Sequence, residues 1–385
     1  MNTIKGLSLF SNVGVAEAYL EDIGVDIVVA NELIKERAEF YQHVYPRTKM
    51  IVGDITDKTI FKKIIAESKA AKVDLVMATP PCQGMSTAGK QDPNDKRNQL
   101  VDHAIRAIKL LRPKFVLLEN VPQQLKTKIT LNGEELCIPD YIQKVLGETY
   151  NIKTSVVQAS EYGVPQIRQR SIFLMTRKDL RVQWDFLTDS EKNSPITLDK
   201  AIGNLPSLDP KIQGYTLEQQ LAYFPDFLKK QEKGLAVSKW HRPPLHKIRH
   251  VEIMRYTPEG MSALKNARHY PVNKDGSRTK GYPNTYKRQW WDRPAYTITT
   301  YNGAVCSHDN VHPGRPLGKD ENGDMVFSDP RVLSVYELMV AMSLPKDWNI
   351  PDWAKDSLIR HSLGEGVPPL VVKKLFKKLL AKTLN

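Results

Sequence analysis

The chain has 385 residues, a net charge of +13 and a hydrophobic fraction of 41%, enough for one large domain carrying a smaller insertion, which excludes wholesale disorder. Its three cysteines, Cys82, Cys137 and Cys306, form no C-x-x-C pair, which argues against a disulfide framework or cysteine metal site and favours a cytoplasmic compartment. No run of about 18 apolar residues occurs, and Met1 to Phe10 lacks an apolar stretch of secretory length, so a soluble protein without a membrane partner is expected.

Short apolar runs alternate with helix-like stretches from Ile4 to about Arg177, the pattern of a doubly wound, Rossmann-like α/β sheet. Strands are expected at Lys5–Phe10, Asp26–Ala30, Met50–Val52, Val73–Ala78, Phe115–Leu118, Ile152–Val157 and Ser171–Thr176. Between the first two, Val15–Glu21 is rich in helix formers and precedes Gly24, a candidate helix stop. An open parallel sheet binds ligands beyond the carboxyl ends of its strands, so the residues there carry the argument. After strand one, Phe10-Ser11-Asn12-Val13-Gly14 makes a short turn whose amides can approach a ligand closely at Gly14. After strand two comes Asn31-Glu32, with Glu32 18 residues past Gly14, a spacing suited to two ribose hydroxyls. After strand three, Gly53-Asp54 offers a carboxylate to the exocyclic amine of adenine. An acid after a strand is most often a helix cap, but recurrence after three successive strands points to an adenine nucleoside. Hydride transfer with a nicotinamide cofactor is the rival reading. It expects G-x-G-x-x-G around a pyrophosphate, whereas S-adenosyl-L-methionine has no phosphate and tolerates the single Gly14.

After strand four, Ala78-Thr79-Pro80-Pro81-Cys82-Gln83-Gly84-Met85-Ser86 restricts the backbone with two prolines and presents Cys82 at the sheet edge. Cys137 and Cys306 have no such setting and read as small buried hydrophobes. After strand five, Glu119-Asn120-Val121-Pro122 places an acid in the same crevice as the candidate nucleophile.

From Lys178 the alternation fades and prolines and basic residues rise, so domain boundaries are expected to give 1–177, 178–328 and 329–385. Residues 229–290 hold 15 Lys and Arg against Glu232, Glu252, Glu259 and Asp275, a net +11, interleaved with Trp240, Tyr256, Tyr270, Tyr282, Tyr286 and Trp290. That mixture suits phosphates and base edges. Lys229, Lys230, Lys247 and Lys265 are candidates for phosphate, and Arg249, Arg255, Arg268 and Arg278 for guanine. A helical pattern returns in Val332–Ala341, and Leu370–Lys382 is amphipathic with a wet lysine face.

Taken in order, these segments resemble the motif set of the DNA (cytosine-5) methyltransferase family of type II restriction-modification systems. Phe10 to Gly14 is similar to its first cofactor motif, Asn31-Glu32 and Gly53-Asp54 to the next two, and Pro81-Cys82-Gln83 to its nucleophile loop. Asp95-x-Arg97-x-x-Leu100, Glu119-Asn120-Val121 and Gln166-x-Arg168-x-Arg170 follow in the family's order. Arg293-Pro294-Ala295-Tyr296-Thr297-Ile298 resembles the motif after the target-recognition region, and Gly364-Glu365-Gly366-Val367 the closing cofactor motif. Ser8, Asn12 and Val15 depart from the first motif, where the family has an acid and more glycines, and Glu365 replaces the usual Asn.

The resemblance implies methyl transfer from S-adenosyl-L-methionine to carbon 5 of a flipped-out cytosine in a specific double-stranded DNA sequence. Residues 1–177 would be the catalytic and cofactor domain, 178–328 a smaller mixed target-recognition domain, and 329–385 a hinge with helices returning to the first. Cys82 would be the thiolate nucleophile, Glu119 the proton holder at ring nitrogen 3, and Asn120 the residue orienting both. Arg168 and Arg170 would divide two tasks, bracing the loop and bonding the base, with Arg170 on the base. Cofactor contacts are implied for Phe10, Ser11, Gly14, Asn31, Glu32, Asp54, Ile55, Pro81, Leu100, Glu365 and Gly366. Substrate contacts are implied for Gln83, Ser86, Gln166, Arg293 and Thr297, with Gly84 to Lys96 as a closing loop and no metal. The family commonly works beside a restriction endonuclease; a monomer with no stable complex is expected. A cytosine-5 RNA methyltransferase can share this motif set, but the long segment 178–328 suits DNA reading better.

Overall fold

Apolar runs buried on both faces assemble a seven-stranded sheet in the computed structural model, which describes residues 3–81, 100–131 and 134–383. Strands β1 (Ile4–Leu9), β2 (Val25–Glu32), β3 (Lys49–Val52), β4 (Leu75–Ala78) and β5 (Phe115–Asn120) run parallel. A hairpin of β6 (Lys128–Leu131) and β7 (Glu134–Cys137) precedes β8 (Tyr150–Gln158) and β9 (Gln169–Arg177). Across the sheet the order is β3-β2-β1-β4-β5-β9-β8, with β9 antiparallel to both neighbours. All seven expected strands are present, with ends displaced by no more than two residues.

Helices α1 (Lys35–Val44), α2 (Lys58–Ala70), α3 (Leu100–Leu111) and α4 (Ile138–Leu146) fall between these strands. Val101, Ala104, Ile105 and Ile108 repeat at helical spacing along α3 and bury it, with Ile64 of α2 and Ile142 of α4, against Leu7, Leu9, Val76, Val116 and Leu118. Beyond β9 come α5 (Leu198–Ile202), α6 (Leu217–Tyr223), α7 (Phe227–Val237) and α8 (Ile248–Arg255) among long irregular stretches, then α9 (Val335–Ala341), α10 (Asp356–Glu365) and α11 (Pro369–Thr383). The apolar stripe of α11, Val371, Val372, Leu375, Phe376 and Leu379, covers the second face of the sheet against Leu75, Met77, Leu117 and Leu174. Trp184 locks that contact, with its ring 4.7 Å from Phe376 and its Nε1 donating to Leu375 O at 2.8 Å.

Where regular ladders are scarce, two fully buried arginines satisfy backbone carbonyls that no strand partner reaches. Arg288 donates to Met254 O, His312 O, Ser328 O and Asp329 O at 2.7 to 3.0 Å. Arg331 binds Leu208 O, Val332 O and the carboxylates of Asp329 and Glu337. Burial of the two guanidinium groups is offset by these bonds, which engage both terminal nitrogens of Arg288 and all three nitrogens of Arg331.

The helix expected at Val15–Glu21 is absent. Residues 12–20 form turns with i to i+3 bonds such as Leu20 N to Glu17 O (2.8 Å), leading into a 3-10 turn at Glu21–Ile23 that Gly24 ends at φ 80°. This irregular path sends Val15 into one core and Ala16 and Leu20 into another, while Glu17 turns inward. The Glu17 carboxylate, 4% exposed, accepts from Ser8 Oγ at 2.6 Å, and burial pushes its pKa up from 4.5 to about 7. A raised folded-state pKa favours the protonated acid, so this contribution to stability is complete below pH 4.5 and is lost as pH rises through 7. Glu17→Gln is therefore expected to raise stability at pH 8 by on the order of 3 kcal/mol relative to its effect at pH 4. Urea unfolding of both proteins at the two pH values checks this, and an equal difference at both would contradict it.

Candidate active site

The turn after β1 is folded tightly by two residues in left-handed backbone, Phe10 (φ 59°) and Asn12 (φ 50°). Its conformation aims Asn12 N at Glu32 Oε2 (2.9 Å), while Ile34 N meets Glu32 Oε1 (2.9 Å). Glu32 is thus gripped by two amides at the end of β2, with lone pairs left over on both oxygens. Burial pushes its carboxyl above the usual range, opposed by the Ile34 amide and by nearby Arg37. Val52 lies beside Glu32 in strand register, and Leu33, Ile34 and Val52 are exposed by 61%, 43% and 44%. Asp54 is exposed after β3, its Oδ1 accepting from Thr56 N at 2.8 Å. A carboxylate for hydroxyls, apolar side chains for a ring and a second carboxylate for an amine fit an adenine nucleoside. The apolar trio escaped the sequence reading; its signal was an apolar residue on each side of the acidic pairs.

Other residues of this end face the protein. Gly14 N bonds Ser11 O at 3.0 Å, and a Cβ at Gly14 (φ 81°) would fall 2.2 Å from the Tyr45 ring, so glycine is required there by tyrosine packing. Ser11 Oγ bonds Asn31 O, and Asn31 Nδ2 ties the ends of β2 and β3 by bonding Ile51 O and Gly53 O at 2.8 and 3.0 Å. Ile55 lies in the core, and Phe10 and Leu100 pack against it half-buried. Glu365 pairs with Arg37 and His361, and a Cβ on neighbouring Gly366 would meet Val15 at 2.9 Å.

At the ends of β4 and β5, Asn120 Nδ2 donates to Pro80 O at 2.9 Å, and its Oδ1 takes Val121 N at 2.8 Å. The acid strand is thereby fastened to the chain two residues before Cys82. Pro81 is half-buried; Cys82, Gln83, Ser86, Asp95, Arg97 and the stretch Gly84 to Lys96 lie outside the described residues. Glu119 pairs across the sheet with Ile172 of β9, and Arg170 Nε sits 2.7 Å from Glu119 Oε1 with both side chains largely buried. Burial pushes the Glu119 carboxyl up, while Arg170 and Arg168 pull it down. A carboxyl so balanced can hold a proton at a ring nitrogen.

Arg168, 1% exposed, donates to Ile298 O (2.8 Å), Gly364 O (2.7 Å) and Gly366 O (2.9 Å). It therefore braces two distant segments, at Ile298 and at Gly364 to Gly366, instead of facing a base. Gln166 is fully buried, with Oε1 accepting from Ile298 N and Nε2 donating to Ala341 O, both at 3.1 Å, which leaves it no face for substrate. Thr297 is exposed and bonds Ile167 O at 2.6 Å, and Arg293 is exposed over the Trp290 ring at 4.8 Å.

The basic segment is less positive in space than along the chain. Lys230, Lys239, Arg268 and Lys287 pair with Asp209, Asp352, Asp324 and Asp309, acids that all lie outside residues 229–290. Arg255 lies over the Tyr223 ring, and Arg278 bonds Leu264 O and Asn266 O. Among the described residues, exposed Lys229, Lys247, Arg249 and Lys265 make no such side-chain hydrogen bond or ion pair.

A parallel sheet with one reversed strand, carboxylates at the ends of β2 and β3 and an acid–arginine pair at the end of β5 fit a Rossmann-like methyltransferase. The family model for C-5 cytosine-specific DNA methylase matches residues 4–381. The chain is 40% identical over 381 residues to Type II methyltransferase M1.HgaI of Avibacterium volantium, covering 98% of each. It is 33% identical over 207 residues to Type II methyltransferase M.NgoPII of Neisseria gonorrhoeae, covering 53% of this chain and 58% of that one. In fold it is similar to Spodoptera frugiperda DNMT2, solved as a mutant (TM-score 0.59, 17% identity, 98% and 100% of the two chains), and to the Entamoeba histolytica methyltransferase EhMeth (TM-score 0.59, 15% identity, all of both chains). The chain belongs to the C-5 cytosine-specific DNA methylase family and is a DNA cytosine methyltransferase.

Proposed function

We propose that the methyl donor is S-adenosyl-L-methionine and that Cys82 is the covalent nucleophile toward one cytosine of a short DNA sequence. The observation that carries this reading is the buried Glu119–Arg170 pair, fastened through Asn120 to the Pro80 carbonyl. Glu32, Leu33, Ile34, Val52 and Asp54 would hold the cofactor's adenosine, and when bound it supplies an electrophilic methyl group. Carbon 5 of cytosine is a poor nucleophile. Addition of the Cys82 thiolate at carbon 6 makes the ring an enamine that is nucleophilic at carbon 5. Glu119 holds the proton at nitrogen 3 that neutralises the charge displaced there. Arg170 fixes that carboxyl and reaches the ring carbonyl. Once carbon 5 carries the transferred methyl group, loss of its proton to a base restores the 5,6 double bond, expels the thiolate and frees the enzyme and 5-methylcytosine.

None of these atoms is reachable in a stacked duplex, so the base is flipped out. Residues 178–328 serve as the target-recognition domain, with exposed Lys247, Arg249 and Lys265 toward DNA. The relatives named as Type II methyltransferases support a role in protecting DNA from a cognate endonuclease; the proposal adds a cytoplasmic monomer that makes no stable complex with it.

Bisulfite sequencing of DNA from cells expressing the protein tests the reading. One short sequence is expected to carry protected cytosine in every copy with the wild type and in none with Cys82→Ser; protection that survives the substitution would refute the nucleophile. Salt dependence tests the DNA face. Lys247→Ala is expected to flatten the log-log slope of binding by about 0.9, the effect of one lost phosphate contact, and Arg268→Ala, already paired with Asp324, to leave it unchanged. The opposite ranking would place the DNA elsewhere.

A further inference from the structure

Two departures from the family pattern, Asn12 and Glu365, meet in space. Asn12 Nδ2 lies 3.3 Å from Glu365 Oε2, the same oxygen that takes Arg37 Nη1 at 2.8 Å, and His361 Nε2 lies 3.0 Å from Glu365 Oε1. Arg37 and Glu365 are 13% and 22% exposed in their side chains, so the pair is largely withdrawn from water.

As a helix-stabilising contact the pair is badly placed. Arg37 sits in the first turn of α1 and Glu365 is the last residue of α10, each at the helix end whose dipole opposes its charge. The arrangement makes sense in relation to Glu32. Arg37 is near enough to pull the Glu32 carboxyl down, yet the two make no ion pair among the described residues, because the guanidinium is directed to Glu365. Among the described residues, the hydrogen-bond donors to the Glu32 carboxylate are the amides of Asn12 and Ile34. The two carboxylates flank one residue, since Asn12 N bonds Glu32 and Asn12 Nδ2 bonds Glu365, so a neutral residue at 365 would release the half-buried Arg37 guanidinium to turn from one toward the other. A charge-assisted bond there would compete directly with hydroxyl donors.

We propose that Glu365 is a positioning residue that holds Arg37 off Glu32 and so keeps the Glu32 carboxylate open to the two ribose hydroxyls of the cofactor. The inference rests on the adenosine reading of the β1 to β3 cradle. It has a counter-intuitive consequence: installing the family's usual Asn at 365 impairs the cofactor site of this chain, and removing Arg37 as well repairs it.

Calorimetric titration of the full-length protein tests this with two ligands, S-adenosyl-L-methionine and 5′-methylthioadenosine, which lacks the amino-acid end. Glu365→Asn is expected to weaken both by about tenfold, the scale of one charge-assisted hydrogen bond. Arg37→Gln alone is expected to leave both affinities within about twofold, and Arg37→Gln with Glu365→Asn to return to that level. Both the single Glu365→Asn and the double variant lack the ion pair, so loss of stability cannot explain recovery in the double; thermal melting of each confirms that it is folded. Should Glu365→Asn fail to fold, Glu365→Gln carries the same expectation. Weakening of S-adenosyl-L-methionine alone would show direct contact with the amino-acid end and overturn the proposal, as would a double variant no better than the single. Failure of the wild type to bind either ligand would instead sink the cofactor reading beneath it.

Discussion

The guanidinium of Arg168 is the joint on which the site depends. It has no access to solvent, and it satisfies carbonyls of residues 298, 364 and 366, segments that lie more than 120 positions away in sequence. Those carbonyls belong to irregular backbone, which a sheet ladder cannot serve, so a long cation with fixed, forked donors takes the place of a strand. Through it the end of β9 is held against α10 and the strand-like run 295–298, and the neighbouring Arg170 is delivered to Glu119. Two arginines two residues apart thus divide the contacts, Arg168 with backbone carbonyls and Arg170 with the Glu119 carboxylate. Gln166 adds a third stitch to Ile298 and Ala341.

Changes in the first cofactor motif are absorbed by pairs, each with its own physical logic. Ser8, where relatives of this kind carry an acid, is bonded to a buried acid nine residues later, so the carboxyl group is present but contributed by Glu17. Asn12 keeps the left-handed backbone that glycine would adopt easily, and its side-chain amide is used to hold Glu365 and Ser362 O. Val15 fills space against Gly366. A local motif therefore has to be judged together with the residues that face it.

Much of the sheet was legible because buried parallel strands are continuous apolar runs, and because Glu32, Asp54 and Glu119 follow three of them directly. Position after a strand does not reveal which way a side chain turns. Asn31 and Gly14 occupy motif positions, yet one ties two strand ends and the other makes room for Tyr45. The helix expected at Val15–Glu21 failed because composition favours a helix while two neighbouring cores claim its side chains. Residues 178–328 were read only as a basic, irregular region. Their order depends on Arg288 and Arg331, whose partners are scattered over more than 100 residues, and their local charge is partly offset by distant acids.

The proposed reaction places its nucleophile at Cys82, two residues after the Pro80 whose carbonyl Asn120 holds, and a covalent bond between that sulfur and carbon 6 of cytosine is its most distinctive consequence. Incubation with S-adenosyl-L-methionine and DNA carrying 5-fluorocytosine in the target blocks loss of the group at carbon 5 and so holds the adduct. Peptide mapping by mass spectrometry is expected to find the nucleotide on Cys82. An adduct on Cys137 or Cys306, or none with a target base that the enzyme otherwise methylates, would contradict the account.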